Sequence, residues 1–467
     1  MFRKGNYYNR ADRQKGLQKG VYMNTLTMKK NTAAFLAAVM LTAAGCSAKT
    51  AAADQEQSQE TAAEVQTETA ETAEEDTQKE ETAVQTISQN TVVSTADVTS
   101  SGLLDATDFF TERDLTQTAD LTNAQYITLT SGQDVNITEE GVYVFSGTVT
   151  DVTIRVEADD TAKVQLVLNG VSITNDGVPA IYVVSADKVF VTTTETENTL
   201  TVNGTFTADG DTNTDAAIFS KDDLVLNGLG TLNVNSVDNG ITCKDDMKIT
   251  GGTYVIHANG DALEANDSIR ISDGDFTISS ASDGIHAEND EDQTTGYVYI
   301  CGGTFDIESS DDGIYGNLAV QIDGGTITVT AAEGIEGTYV QINGGDIDVS
   351  ASDDGINAAA KTTTYAPTIE ITGGNLDVTM GAGDTDALDA NGYIYISGGN
   401  VNISAQFAFD YDYGAEMTGG TVTVNGQQIT SITNSMMGGG MGGMQGGMGP
   451  GGGMGPGGGM GGGFGRP

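Results

Sequence analysis

The sequence predicts an all-β chain wound as a right-handed parallel β-helix, a single-chain solenoid with rungs of about 21–22 residues and irregular N-terminal rungs or a cap. Three observations predict it. First, an apolar residue following Gly or Ala recurs at Ile241, Leu263, Ile285, Ile314, Ile335, Ile356, Leu388 and Phe409. The intervals are 22, 22, 29, 21, 21, 32 and 21 residues. Second, each period carries an alternating strand, a glycine-centred turn and another alternating strand, as in "ITGGTYVI", "IDGGTITV" and "ISGGNVNI". Third, glycine pairs and β-branched runs would weaken every turn of a helix, and a propeller blade needs roughly twice this period.

The elements follow in order. Residues 125 to 235 hold strands without the regular period, "VQLVLNGVSITN" and "AIYVVSADKVFVTTT" among them, and read as the irregular first rungs and cap that hide an open solenoid end. From there on, Tyr254, Phe276, Phe305, Ile327, Ile347, Leu376, Val401 and Val422 form one inward column. Ile256, Ile278, Ile307, Val329, Val349, Val378, Ile403 and Val424 form another, and the residues between them face outward. Small residues from Cys243 to Ala390 line a crowded bend. The two long intervals hold "NDEDQTTG" and "AAKTTTYAP", which read as loops pushed out of a rung. Cys243 and Cys301 fall in different columns about two turns apart, so they read as two small hydrophobes and not as a disulfide.

The flanks differ in composition. Residues 1–46 read as a signal segment with translation starting at Met28: "MKK", the short apolar run "AAFLAAVML" and "TAAGC" lead to a lipidated Cys46, with Ala43 standing where the lipoprotein pattern prefers Leu. Residues 47–100 are Ala, Thr, Glu and Gln with almost no aliphatic bulk, an acidic tether unable to bury a core. The β-helix is expected over 101–430, and residues 431–467 are a Gly/Met-rich tail. With 20 Lys+Arg against 66 Asp+Glu and a net charge of -46, the charge argues against a nucleic-acid groove or an anionic membrane surface as a partner. The expected chain is a monomeric, extracytoplasmic lipoprotein held at the cell surface through Cys46.

The acids are not scattered. Two residues before the apolar marker stand Asn239, Asp261, Asp283, Asp312, Glu333, Asp354, Asp386 and Phe407, one strand spacing apart if the rungs stack. After the marker come Glu264, His286, Glu336, Asn357, Asp389 and Asp410. Two carboxylates about 4.8 Å apart repel by about 3 to 4 kcal/mol at an effective dielectric of about 20. A hard divalent cation shared between rungs reverses that sign, and Ca²⁺ suits it best because it accepts many oxygens in loose geometry. The expected cages are Asp261 with Glu264 and Asp283, Glu333 with Glu336 and Asp354, and Asp386 with Asp389 and Asp410; Asp312 lies in the same column. Asp-Gly is also ordinary turn chemistry, the side chain capping its own backbone, which accounts for the first column without metal but not for the second. Tyr297, Tyr339 and Tyr393 share an outward column, and Tyr299 and Tyr395 share the next but one, so they can offer sugars a stacking face or simply suit outward strand positions.

Taken together, the lipoprotein-like start, the Thr/Glu stretch, "VQLVLNGVSITN...AIYVVSADKVFVTTT", the "DDGI" and "GG" rungs and the Gly/Met tail resemble the β-helical carbohydrate-binding domain proteins of clostridial cell surfaces, akin to pectate lyases, over roughly residues 120 to 430. The resemblance implies a cell-surface protein that binds cellulose-like or acidic plant polysaccharides such as polygalacturonate, with calcium at the acidic corner. A calcium-dependent polysaccharide lyase is the alternative. It needs a base beside the metal, and the cations available between 216 and 430 are Lys221, Lys244, Lys248, Arg270 and Lys361, with His286 as a further candidate. A structural adhesin or wall spacer without a sugar site is the third reading.

Overall fold

Alternating side chains and glycine turns give strands at almost every predicted position in the computed structural model, which describes residues 102–435 except Asp384. The signal segment, Cys46, the acidic tether and the tail beyond Ser435 lie outside the described residues. The described part is all-β, with no α-helix. Strands pair in parallel with strands one repeat further on, and the only antiparallel ladder between described strands is the closing hairpin Thr421–Val424 with Gln427–Ile429. That hairpin turns at Asn425 and Gly426, both at positive φ, the chemistry that tight hairpins select.

The register is the one the repeat demands. Ile241, Leu263, Ile285, Ile314, Ile335, Ile356, Leu388 and Phe409 are Cα partners in succession. So are Tyr254, Phe276, Phe305, Ile327, Ile347, Leu376, Val401 and Val422. The latter are buried in one continuous core, where Tyr254, Phe276 and Phe305 stack at centroid distances of 5.1 and 4.6 Å. Burying each such side chain contributes about 1.5–3 kcal/mol. Residues 125 to 235 belong to the same stack. Their spacing is irregular, since Gly141 pairs Val164, Val164 pairs Val189 and Val189 pairs Leu224, and the parallel ladders run on with register shifts between Phe145 and Gly147 and between Val156 and Glu157.

Two kinds of glycine permit the close stacking. In the pair Gly324-Gly325, a Cβ on the first would lie 2.6 Å from the carbonyl oxygen of Cys301 one rung before, and the second has φ +105°, where L side chains are strained. In "DDGI", a Cβ on Gly313 would lie 2.2 Å from Val329 and 2.6 Å from the carbonyl oxygen of Gly334. The glycine beside the acids is thus a packing requirement between rungs.

Two features extend the expected picture. Loops 289–296 and 359–367 do leave the rungs, and they meet: the Thr363 and Thr364 hydroxyls donate to the Gln293 side-chain and main-chain oxygens at 2.6 Å each. At the C-terminal end, Ser435 N donates to the Phe409 carbonyl at 2.8 Å and Asn434 Nδ2 to Asp410 Oδ1 at 2.7 Å, so the packed chain runs a few residues past 430.

Residues 102–118 do not form a rung. They lie along the outside of the stack as a strap. Leu103 and Leu104 touch Gln341 and Gln321, Phe109 covers Tyr297 and Tyr299, and Gln117 reaches Thr250 and Gly228. The strap's anchor is Asp114, 0% exposed, between Lys188 at 3.5 Å and Lys248 at 3.4 Å.

Candidate functional site

The acid column has a backbone role that turn chemistry does not describe. Asp261 N–H donates to Asn239 Oδ1 at 2.8 Å, Asp283 N–H to Asp261 Oδ1 at 2.9 Å, and Asp312 N–H to Asp283 Oδ1 at 2.9 Å. Asp386 N–H donates to Asp354 Oδ1 at 3.3 Å. Each short side chain therefore accepts from the next rung's amide and not from its own turn. One carboxylate oxygen is consumed this way, leaving the other to meet the second column.

In that second column Thr242, Glu264, His286, Tyr315, Glu336, Asn357, Asp389 and Asp410 are stacked Cα partners. Among the described residues, three acidic groups have ligand atoms within 4.8 Å of one another: Asp261–Asp283–His286, Asp283–Asp311–Asp312 and Asp312–Glu333–Glu336. These share members and run along consecutive rungs. The expected groupings differ in detail. Glu264 stands apart from Asp261 and Asp283, because Asn239 Nδ2, Thr242 Oγ1 and Lys244 Nζ hold it at 2.8, 2.8 and 3.1 Å. Glu333 and Glu336 gather with Asp312 in place of Asp354. Asp386, Asp389 and Asp410 do not close into a group, since Asp410 Oδ1 accepts from Asn434 Nδ2 and from Tyr411 N–H.

The groups also differ in how their charge is met. His286 Nδ1 lies 2.5 Å from Asp283 Oδ2, and Nε2 lies 3.3 Å from Glu288 Oε2. Burial alone would lower its pKa, but these two acids outweigh it and raise it to about 10, so the ring is an imidazolium with both N–H groups donating. A ring nitrogen carrying a proton cannot ligate a metal. The first group thus carries its own counter-charge, the His286 imidazolium.

The Asp312–Glu333–Glu336 group is unlike it. All three acids are buried, Asp312 at 5% and Glu336 at 1% exposure. Glu336 Oε1 accepts from Asn357 Nδ2 at 2.9 Å and faces Lys361 Nζ at 2.8 Å, while its buried Oε2 has no hydrogen-bond partner. Desolvation pushes the Asp312 carboxyl up, and Asp283, Glu336 and Glu333 push it further. Desolvation and then Glu336 push Glu333 up as well, with the Asn357 amide pulling back. Three buried carboxyls within reach of one another can be relieved by the protons that the raised Asp312 and Glu333 carboxyls retain or by a hard cation in their place. Further along, burial and the neighbouring acids raise Asp389 to about 7, and burial raises Asp354 to about 6.

The tyrosines lie in the expected columns. Tyr297 aligns through Ala319 with Tyr339, and onward through Thr368 to Tyr393; Tyr299 aligns through Gln321, Gln341 and Glu370 with Tyr395. The face is not uniformly open. Tyr297 and Tyr299, the latter 1% exposed, lie under Phe109, whose ring is 5.7 Å from the first and 5.0 Å from the second. Tyr339 is half-buried, packs edge-on against Tyr365 and donates to Glu370 Oε2 at 2.8 Å. Tyr393 and Tyr395 are also half-buried, stacked at 5.7 Å, with the exposed Tyr413 edge-on to Tyr393 at 5.5 Å.

Sequence reasoning missed the strap, the His286 counter-ion and Tyr413. "LLDATDFF" carried a signal: four large apolar residues outside the repeat need something to cover.

The family whose profile matches residues 131–387 is described as "Carbohydrate-binding domain-containing protein". The chain belongs to that family. A relative of the same description from Acetivibrio thermocellus is 37% identical over 132 residues, covering 27% of this chain and 46% of the relative. The match thus spans less than half of that relative's length. The chain is also similar, at 26% identity, to a solved structure described as "polysaccharide lyase-like protein from C. thermocellum, Gadolinium derivative". That match covers 65% of this chain and 94% of the other at a TM-score of 0.38, too loose a superposition to define a shared shape. The family's matched region in this chain contains all three acidic groups and both strap-covered tyrosines.

Proposed function

We propose that this carbohydrate-binding family member is a cell-surface lipoprotein, anchored through Cys46, that binds polysaccharide of the cellulose-like or polygalacturonate class with a β-helix loaded by Ca²⁺. The stack is read as right-handed, the hand that parallel crossovers of L-residues favour. The observation that carries the calcium reading is the buried Glu336 Oε2 without a donor in the Asp312–Glu333–Glu336 group. Asp312, Glu333 and Glu336 would hold the ion, which would supply the positive charge that Lys361 alone does not. Tyr393, Tyr395 and Tyr413 supply apolar ring faces against which sugars stack. Bound Ca²⁺ would also let so acidic a chain meet an acidic polymer. The test is retention of the full chain on insoluble cellulose and on polygalacturonate gel, in Ca²⁺ and in EDTA. Retention on at least one matrix, weakened by EDTA, is expected. No retention on either would leave the spacer reading standing, and retention indifferent to EDTA would remove calcium from it.

A second reading has one observation in its favour. Lys361 Nζ is 2.8 Å from Glu336 Oε1 and 5.3 Å from the Tyr315 ring centroid, a basic group beside the acidic one. In a lyase a neutral amine there would take the proton α to a uronate carboxylate, the C4–O bond breaking with its electron pair and a C4–C5 double bond forming. Ultraviolet absorbance of unsaturated product, absent in Lys361→Met, separates that reading from binding alone.

A further inference from the structure

The strap has two unequal halves. Residues 111–118 are pinned: Asp114 sits between Lys188 and Lys248, its carbonyl accepts from Thr250 Oγ1 at 2.5 Å and Asn227 Nδ2 at 3.3 Å, and Gln117 Oε1 accepts from Gly228 N–H at 2.9 Å. Residues 102–110 are held differently. They meet the rungs through the amides of Leu103 and Leu104, donating to Gln341 Oε1 at 2.6 Å and Gln321 Oε1 at 2.7 Å, and through the apolar packing of Leu103, Leu104, Ala106, Phe109 and Phe110 with Tyr297, Tyr299 and Leu318. Arg270 lies 4.7 Å from the Phe109 ring centroid. Among the described residues, no backbone–backbone hydrogen bond ties 102–118 to the sheet.

What this half covers is chemically the upstream part of the sugar-stacking face. The columns beneath it, Tyr297 and Tyr299 with Gln321 and Gln341, continue in register to Tyr393 and Tyr395. From the Tyr299 rung to the Tyr395 rung is four strand spacings, roughly 19 Å. Phe109 stacks on Tyr297 with an interplanar angle of 23°, as a sugar ring stacks on an aromatic one, and the Leu103 and Leu104 amides donate where sugar hydroxyls would donate.

The geometry points to a cryptic polysaccharide subsite formed by Tyr297, Tyr299, Gln321 and Gln341, which residues 102–110 occupy as a built-in competitor and vacate when a long polysaccharide extends from the Tyr393–Tyr395 end. This rests on the polysaccharide-binding reading. Short ligands bind the Tyr393–Tyr395 end and leave the cover in place; long ones gain contacts by displacing it. The Asp114 anchor keeps the displaced segment attached, so closure is reversible.

Amide hydrogen exchange on the full wild-type chain tests it, with short and long oligogalacturonates and cello-oligosaccharides as probes. Long oligomers are expected to speed exchange at residues 102–110 by at least about tenfold while 111–118 stay protected. Short ones leave both unchanged. Full-chain Leu104→Ser/Phe109→Ala is expected to bind long oligomers several-fold more tightly than wild type, with short-oligomer affinity unchanged. Its Tyr299 should become open to nitration, which shows uncovering independently of any sugar. Long-oligomer binding with the cover still protected would overturn the cryptic subsite and leave the binding function standing. No binding by wild type or by a variant whose Tyr299 is shown to be open would overturn both.

Discussion

The same column of the same repeat solves its charge problem in two ways. At the Asp261–Asp283 rungs the second column supplies His286, whose imidazolium lies within hydrogen-bonding distance of Asp283 and Glu288. Two rungs on from His286, at Asp312–Glu333, that column supplies Glu336 instead, buried and with one oxygen lacking a donor. Backbone register is the same, but the second group is fully buried where Asp261 and His286 are half-buried, and Glu336 stands in the column that holds the imidazolium in the first. It teaches that a ladder of acids is not by itself a metal site; the residue stacked beside it decides whether the protein supplies a positive charge there.

Breaking the self-neutralised end is expected to have the largest effect. His286→Ala leaves Asp283 buried beside Asp261 without its cation, and should cost about 3 kcal/mol of stability in EDTA, read by urea unfolding. Calcium should recover part of that loss, because the vacated group then resembles the other one. Next comes Glu336→Gln. Wild-type protein at about a hundred times the calcium dissociation constant should gain about 2.7 kcal/mol, and the variant little of it, read as the calcium-induced change in Tm.

pH sharpens the comparison because both ends lose stability as pH rises, but in different windows. His286 has a folded pKa of about 10 against 6.5 unfolded, so its contribution is fully present below about pH 6.5 and is lost as pH rises through 10. Asp354 and Asp389, raised to about 6 and about 7 from 3.8, and Asp312 and Glu333, raised likewise, hold protons in the folded state that the unfolded chain has released. Stability in EDTA should therefore fall between about pH 4 and pH 7, and saturating Ca²⁺ should flatten that fall, since the ion takes over the protons' role. A thermal-melt series from about pH 4 to about pH 10, with and without Ca²⁺, checks both windows. The smallest effect is expected from Lys361→Met, which removes a cation competing for Glu336 and should tighten calcium binding roughly fivefold, about 1 kcal/mol.

The stacking itself was legible. Period-two alternation and the glycine pairs placed the inward columns from Tyr254 to Val422 in the register the structure has, because only one register buries all of them. Which acids meet was less legible. Column membership is a backbone property that repeats with the sequence, whereas Asp312 joining Glu336, or Lys244 drawing Glu264 away, depends on side-chain reach and on cations elsewhere in the rung. The strap was hidden for a related reason: "LLDATDFF" has no period, and nothing in a repeat says which outward column an aperiodic segment will cover. Tyr299 and Tyr395 share one column of the repeat, and Phe109 lies on the first of them.

Calorimetric titration of Ca²⁺ into EDTA-stripped wild-type protein, Glu336→Gln and Asp261→Asn tests the central claim most directly. The account predicts saturable binding in wild type, retained in Asp261→Asn and lost in Glu336→Gln. Binding that survives Glu336→Gln but not Asp261→Asn, or no binding heat in wild type, would contradict it.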